Sequence, residues 1–204
     1  VTGHVKPSEK STSELARLMI GRELPTYQHS AFSGEQSILL QVKQLNYASD
    51  DPFGVSLSNI ELQLKAGEIT GIAGISGNGQ AELLALLSGE RLTDQGEILF
   101  EGRNVSRLYA GERRDLGLGF VPEERLGRGA VPNMSLSQNA FLTAFRQGLS
   151  HFGLINFEKT KAFAAHCIER FNVKAAGPQA EARSLSGGNL QKFIVGREIL
   201  QNPK

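Results

Sequence analysis

Apolar and polar residues alternate with period two over Ile38-Leu39-Leu40-Gln41-Val42-Lys43-Gln44-Leu45 and over Leu57-Ser58-Asn59-Ile60-Glu61-Leu62-Gln63-Leu64. That is the pattern of half-buried strands. Asp50, Asp51, Pro52 and Gly54 supply a turn between them. Residues 68–73 (EITGIA), short and bounded by glycines, predict a buried strand, and a helical run over 81–87 follows directly. Two further strands are predicted over 96–100 and 118–121. Beyond Pro122 the strand signal fades, and helices are predicted over 136–145, 157–171 and 190–200. In the second of these Phe157, Ala164, Ile168 and Phe171 share a face.

The first 36 residues read differently. Ser11-Thr12-Ser13-Glu14 has the spacing of a capping box, and Leu15, Leu18 and Met19 fall at i, i+3 and i+4 before Gly21. One short amphipathic helix is predicted, followed by a polar linker through Pro25, Gln28, Ser30, Ser33 and Gly34. Three apolar residues cannot build a core alone, so this segment is expected to dock on something else or to be the tail of a preceding domain. After these 36 residues the pattern gives a β-rich part with a strand-to-helix unit, then a helical insertion, then a final helix.

Composition narrows the function classes. At 204 residues, 40% hydrophobic and 21% charged, the chain is of globular type. Its 22 Lys and Arg against 21 Asp and Glu leave a net charge of +1, which offers no footprint for nucleic acid or an anionic surface. The longest apolar run, 83–87, is far short of the roughly 20 residues that span a bilayer. The start of the chain, with His4, Lys6 and Glu9, lacks the apolar stretch of a signal peptide. The single cysteine, Cys167, excludes an internal disulfide framework and a cysteine-cluster metal site; beside His166 on a helix it reads as packing. A soluble intracellular chain is expected.

The sharpest chemistry lies in GISGNGQA, 74–81, between a predicted buried strand and a predicted helix. Gly74, Gly77 and Gly79 permit positive φ and close approach of backbone to a ligand, and a helix N-terminus favours an anion. Gly74 and Gly79 match the spacing of the phosphate-binding pattern G-x-x-x-x-G-K-[ST], but Gln80 replaces its lysine and Ala81 its hydroxyl residue. The lysine would add charge-assisted hydrogen bonds of about 1.5–3 kcal/mol. Ala81 has no oxygen for Mg²⁺. A dinucleotide loop G-x-G-x-x-G does not fit, because Gly77-Asn78-Gly79 is followed by Glu82. A glycine-rich turn that binds nothing stays open on this motif alone. A second glycine motif, 184–192 (SLSGGNLQK), precedes a helix that Ser186 can cap, with Gly187 and Gly188 exposing its first backbone donors.

Together these segments resemble ATP-binding cassette (ABC) ATPases. LSGGNLQK, 185–192, is similar to the family's signature motif in the form used by sugar and nucleoside importers. LKAGEITGIAGISGNGQAEL, 64–83, resembles the strand and Walker A loop of the second cassette in tandem ATP-binding subunits. LGFVPEERLGRG, 118–129, resembles the segment carrying the Q-loop, with Glu123 where most cassettes have glutamine. Ser135 to Asn139 resembles the start of the helical subdomain, and ELARLMIGRE, 14–23, the end of a first cassette and the linker into the second. GNGQAEL, VPEER and ARSLSGGN look closer to nucleoside-type than to ribose-type importers.

The resemblance implies an α/β fold, a P-loop NTPase of ABC type with a β-rich ATP-binding subdomain (37–129), a helical subdomain (130–185) and a signature helix (186–204). It implies ATP and Mg²⁺ as cofactors, held weakly or not at all by this chain's own loop. Gly74, Ser76, Gly77, Asn78, Gly79, Gln80, Ala81 and Glu82 would form that degenerate site. Leu185, Ser186, Gly187, Gly188, Asn189 and Gln191 would face ATP held by a first cassette of the same subunit. Glu123 or Glu124 would couple nucleotide state to a transmembrane permease, with a substrate-binding protein as an indirect partner and no nucleic acid. Tyr47 and Phe53 are the candidates for stacking on adenine. For Arg125 and Arg128 contact with phosphate or an anionic partner surface stands against solvated loop charges. The place implied is cytoplasmic, peripheral on the inner face of the cell membrane.

Three functions compete: an ATPase subunit driving import, a catalytically silent cassette supplying only a signature surface and a regulatory pocket, and a cassette ATPase of translation or DNA repair. The near-neutral charge and the importer-type motifs disfavour the third. The family's Walker B strand, catalytic Glu, D-loop and switch His would follow Gln201-Asn202-Pro203-Lys204, and none of His4, His29, His151 and His166 stands where the switch His would be. The expectation is a fragment of a larger tandem subunit, inactive alone, with an exposed sheet edge. Self-association or marginal stability is therefore predicted; a monodisperse monomer with cooperative, high-temperature melting counts against it.

Overall fold

The computed structural model describes residues 5–6, 10–20 and 37–204. The chain divides into two units, 1–36 and 37–204. In the first, helix α1 spans Thr12–Ile20. The expected capping box forms: the Ser11 hydroxyl accepts from the Glu14 N–H at 3.3 Å and the Glu14 carboxylate accepts from the Ser11 N–H at 3.0 Å. That backbone hydrogen bond, then Lys10 beside it, holds the Glu14 carboxyl down at about 2. Leu15 and Leu18 are half-buried. The predicted linker lies outside the described residues.

The second unit opens with an antiparallel pair, β1 (Ile38–Tyr47) and β2 (Leu57–Lys65). The chain then adds α2 (Gln80–Ser88), β3 (Glu97–Phe100), β4 (Arg103–Asn104) and α3 (Ala110–Asp115). The strands form one sheet in the order β2-β1-β3-β4. Its core joins Leu40, Val42, Leu45, Leu57, Ile98, Phe100 and Val105 to Leu83 and Leu86 of α2. Period two fails once in each strand of this pair, between Leu57 and Ile60 in β2, where Asn59 adopts φ 49, and after Val42 in β1. After Leu40 and Val42 the next inward residue is Leu45, because Gln44 adopts φ 45 and the register slips between Val42 and Leu45. Gly96 lies against this bulge, and a Cβ there would stand 2.4 Å from the Gln44 carbonyl oxygen, so only glycine fits.

Two predicted strands do not form. Residues 68–73 and 118–121 have no ladder partner among the described residues. Ile69 is 99% exposed and Ile72 53%. Composition favoured burial here, but a strand needs a neighbour for its N–H and C=O groups as well as apolar side chains. An apolar cleft of ≈ 550 Å³ opens nearby, lined by residues that include Leu64, Leu84, Phe120, Val195 and Ile199.

The chain continues with α4 (Leu136–Ala144), a small hairpin of β5 (Ser150–His151) and β6 (Leu154–Ile155), α5 (Phe157–Arg170) and α6 (Gly187–Ile199). Ser135 and Gln138 form the capping box that starts α4. A second core gathers Leu136 and Ala140 of α4, Ala164 and Cys167 of α5, and Leu190, Phe193 and Ile194 of α6. The predicted face of α5 is corrected at its start. Phe157 is 74% exposed, and the buried stripe is Thr160, Ala164 and Cys167, because the helix begins beyond the edge of the core. Burial pushes the Cys167 thiol up to about 12, and its sulfur donates to the Phe193 carbonyl at 3.6 Å. The packing role expected of this residue is the one it has.

Arg113 of α3 is wholly buried without a carboxylate partner. Its guanidinium caps the end of α2 by donating to the carbonyls of Leu86 and Leu87 at 2.5 and 2.9 Å, and reaches Leu108 and Ser106 at 2.8 and 3.3 Å. A cation at a helix C-terminus is favourable, and burial lowers its pKa to about 10. Arg113→Ala leaves these carbonyls buried and unpaired, which is expected to cost about 3 kcal/mol. A urea midpoint equal to that of the unsubstituted chain would sink this assignment.

Candidate functional site

The loop before α2 is set by backbone geometry. Gly77 has φ 88 and Gly79, the residue capping α2, φ 96. Gly79 is buried against the sheet, where an added Cβ would meet Leu57 Cδ2 at 2.7 Å. Glu82, counted at sequence level among the nucleotide-contacting residues, faces the sheet instead: its carboxylate accepts from the Val55 N–H at 3.2 Å. That contact ties the turn after β1 to the first turn of α2. Gly74, Ser76, Gly77 and Asn78 are exposed, as is Ala81. Gln80 folds back over the loop. Its side-chain oxygen accepts from the Asn78 N–H, and its side-chain nitrogen donates to the Ile75 carbonyl, both at 3.1 Å.

The second motif starts α6. Ser186 is the capping residue by position, but its hydroxyl makes no bond to the helix backbone. The reason is local: Asn189 Nδ2 donates to Ser186 Oγ at 2.9 Å while Asn189 Oδ1 accepts from the Lys174 N–H at 2.9 Å. Asn189 thus pins the motif to the segment after α5. Ser186, Gly187 and Gly188 are exposed, as is Gln191, and Leu185 packs half-buried on the second core. Arg125 lies over this start, donating to the Gly187 carbonyl at 3.4 Å. Arg128 instead pairs with Glu90. Neither arginine is a bare solvated charge.

Glu123 and Glu124 are exposed on the loop that leads to Arg125. Tyr47 carries the Arg91 guanidinium over its ring, 5.4 Å from the centroid, while Phe53 stands 96% exposed in the turn after β1. Two residues given no role from the sequence, Arg197 and Asn139, tie the 129–139 segment to α6. Arg197, 3% exposed, donates to the Gly129 and Asn139 carbonyls at 2.9 and 3.0 Å, and Asn139 in turn bonds backbone groups of Val131, Met134 and Ser135. The only sequence signal was a polar residue on the apolar face of a predicted helix. Among the described residues no cluster of His, Cys, Asp and Glu could hold a metal ion, and no helix is long and apolar enough to cross a membrane.

Known proteins align with this geometry. The family model described as ABC transporter matches residues 57–204. A nucleoside import ATP-binding protein of Lactococcus lactis subsp. cremoris is 34% identical over 98% of this chain and 39% of its own length. A glucose import ATP-binding protein of Haloferax volcanii is 35% identical over 98% of this chain and 37% of its own. The chain therefore spans about two fifths of the curated relatives it matches. Among solved structures, a dimeric ATP-binding cassette in a post-hydrolysis state with ADP and Pi superposes with a TM-score of 0.65 at 20% identity, covering 81% of this chain and 71% of that one. At that identity the likeness concerns the fold.

Such cassettes imply ATP with Mg²⁺, and the residues here fit it only in part. The loop offers backbone donors at a helix start. It offers no lysine, no hydroxyl at Ala81, and a cradle crossed by Gln80.

Loop shape rests on Gly79. Gly79→Ala meets both a positive φ and Leu57, and is expected to destabilise the chain by about 1–3 kcal/mol. A thermal melt of the variant within a degree of the original would contradict this.

Proposed function

The chain belongs to the ABC transporter family, with the P-loop NTPase fold of its ATP-binding cassettes, and from that premise we propose that it is a nucleotide-binding domain of an importer, coupling ATP binding and hydrolysis to uptake of a simple sugar or a nucleoside. The observation that carries this is the second glycine motif: Ser186, Gly187 and Gly188 stand exposed at the start of a 13-residue helix, with Arg125 beside them. That arrangement presents backbone donors and a positive helix end to a phosphate brought by another surface. Relatives named as nucleoside and sugar import proteins support the substrate classes.

In this reading the chain is the second cassette of a tandem subunit. Ser186, Gly187, Gly188 and Asn189 face the γ-phosphate of ATP held by the first, and residues 74–82 form the weaker site. Glu123 and Glu124 lie where a permease would sense nucleotide, and the assembly sits on the inner face of the membrane. A second reading, favoured by Gln80 and Ala81, is that this cassette hydrolyses nothing itself and supplies only the signature surface.

Ser186→Arg in the transporter that carries this chain tests the assignment, because it fills the proposed phosphate contact while leaving both cores untouched. ATP-driven uptake of labelled nucleosides or sugars into membrane vesicles should fall by at least a hundredfold, with the fold intact by circular dichroism. Uptake at the original rate would refute the signature role. Comparing nucleosides with pentoses and hexoses in the same vesicles separates the substrate classes.

A further inference from the structure

We propose that Gln80 seals the phosphate cradle of the 74–81 loop from within, so that a polyphosphate is held there only when this side chain swings out. The inference rests on the cassette reading above, which makes the loop a phosphate cradle, and goes beyond it by naming what occupies that cradle. Gln80 is the first residue of α2, yet its side chain turns back across the loop. Its nitrogen lies so close over Gly74 that a Cβ on that glycine would stand 2.3 Å from it.

The chemistry of the side chain explains the closure. A glutamine amide carries one acceptor and two donors, so it can answer an N–H and a carbonyl of the same loop at once. Here it takes the Asn78 N–H and the Ile75 carbonyl, both at 3.1 Å. A lysine at this position has no acceptor and would leave the Asn78 N–H free for an anion. The replacement therefore does more than remove a charge: it supplies a neutral oxygen at a donor that a phosphate oxygen would use. Both hydrogen bonds are exposed and of modest net worth, so the closure is reversible, and releasing it is worth about tenfold in affinity.

The test compares the unsubstituted 204-residue chain with Gln80→Ala and Gln80→Lys, all checked for fold by circular dichroism. Alanine is a strong helix former at this exposed helix start, so the variant keeps α2. Water exchange of the Asn78 amide is read by NMR on 15N-labelled chain, and binding of inorganic tripolyphosphate without metal by calorimetry. The expected result is severalfold faster Asn78 exchange in Gln80→Ala, with tripolyphosphate bound about tenfold more tightly than by the unsubstituted chain. Unchanged Asn78 exchange overturns the closure whatever the ligand does. Binding by Gln80→Lys without any gain in Gln80→Ala overturns it as well, and leaves the cradle reading standing. Silence in all three chains overturns the cradle reading and the closure together.

Discussion

One buried cation organises the half of the molecule that carries the signature motif. Arg197 sits near the end of α6, with its guanidinium divided among the Gly129 carbonyl, the Asn139 carbonyl and the Glu198 carboxylate. Taking an isolated charge out of water costs several kcal/mol, and only a full set of partners offsets it. Burial pulls the Arg197 pKa down and Glu198 pushes it back up. Glu198 is shared in turn with Arg114 of α3 and with Gln201. The loop ending at Gly129, the start of α4 and the end of α6 therefore meet at one guanidinium, and Arg114 extends the network toward the sheet core. Among the described residues no buried side-chain nitrogen or oxygen is left without a partner. Because each contact is directional, the segments can pack in one relative position, where apolar contacts alone would leave some freedom.

Much of this was legible along the chain wherever a local pattern coincided with a local cause. β1 and β2 follow from period two, and α2, α4 and α6 lie where helical spacing put them. The capping box of α1 forms from the residues whose spacing announced it. Residues 68–73 misled for the opposite reason. Their composition is that of a buried strand, but strand formation is decided by a neighbour elsewhere in the chain, and none of the four strands pairs with them. Leu45 shows the same limit on a smaller scale: the bulge at Gln44 depends on what Gly96 allows beside it, 52 positions away by their numbers. Arg113 gave no advance signal and Arg197 only that of a polar residue on an apolar helix face, since a buried arginine is recognised by the carbonyls that long-range packing brings to it.

At the site, the motifs were legible and their internal bonds were not. The positions of Gly77 and Gly79 foretold positive φ, because a glycine between strand and helix has few other reasons to be there. Nothing in the order of residues says that Asn189 would take the Ser186 hydroxyl before the helix backbone could. Nor does it say that Gln80 would turn back toward Gly74 and not outward. Both outcomes are choices among side-chain torsions, settled by which donors and acceptors the backbone has already placed within reach.

The two glycine motifs begin helices of similar geometry, yet their surroundings set them apart electrostatically. At the start of α6 the exposed glycines have the Arg125 guanidinium beside them, adding a full positive charge to the helix end. At the start of α2 the first turn carries Glu82, whose carboxylate is tied to the Val55 N–H, and the loop donor at Asn78 is already engaged. An anion arriving at α6 meets open donors and a cation; at α2 it meets a side chain that must first leave. The same backbone device is thus tuned in opposite senses within one chain.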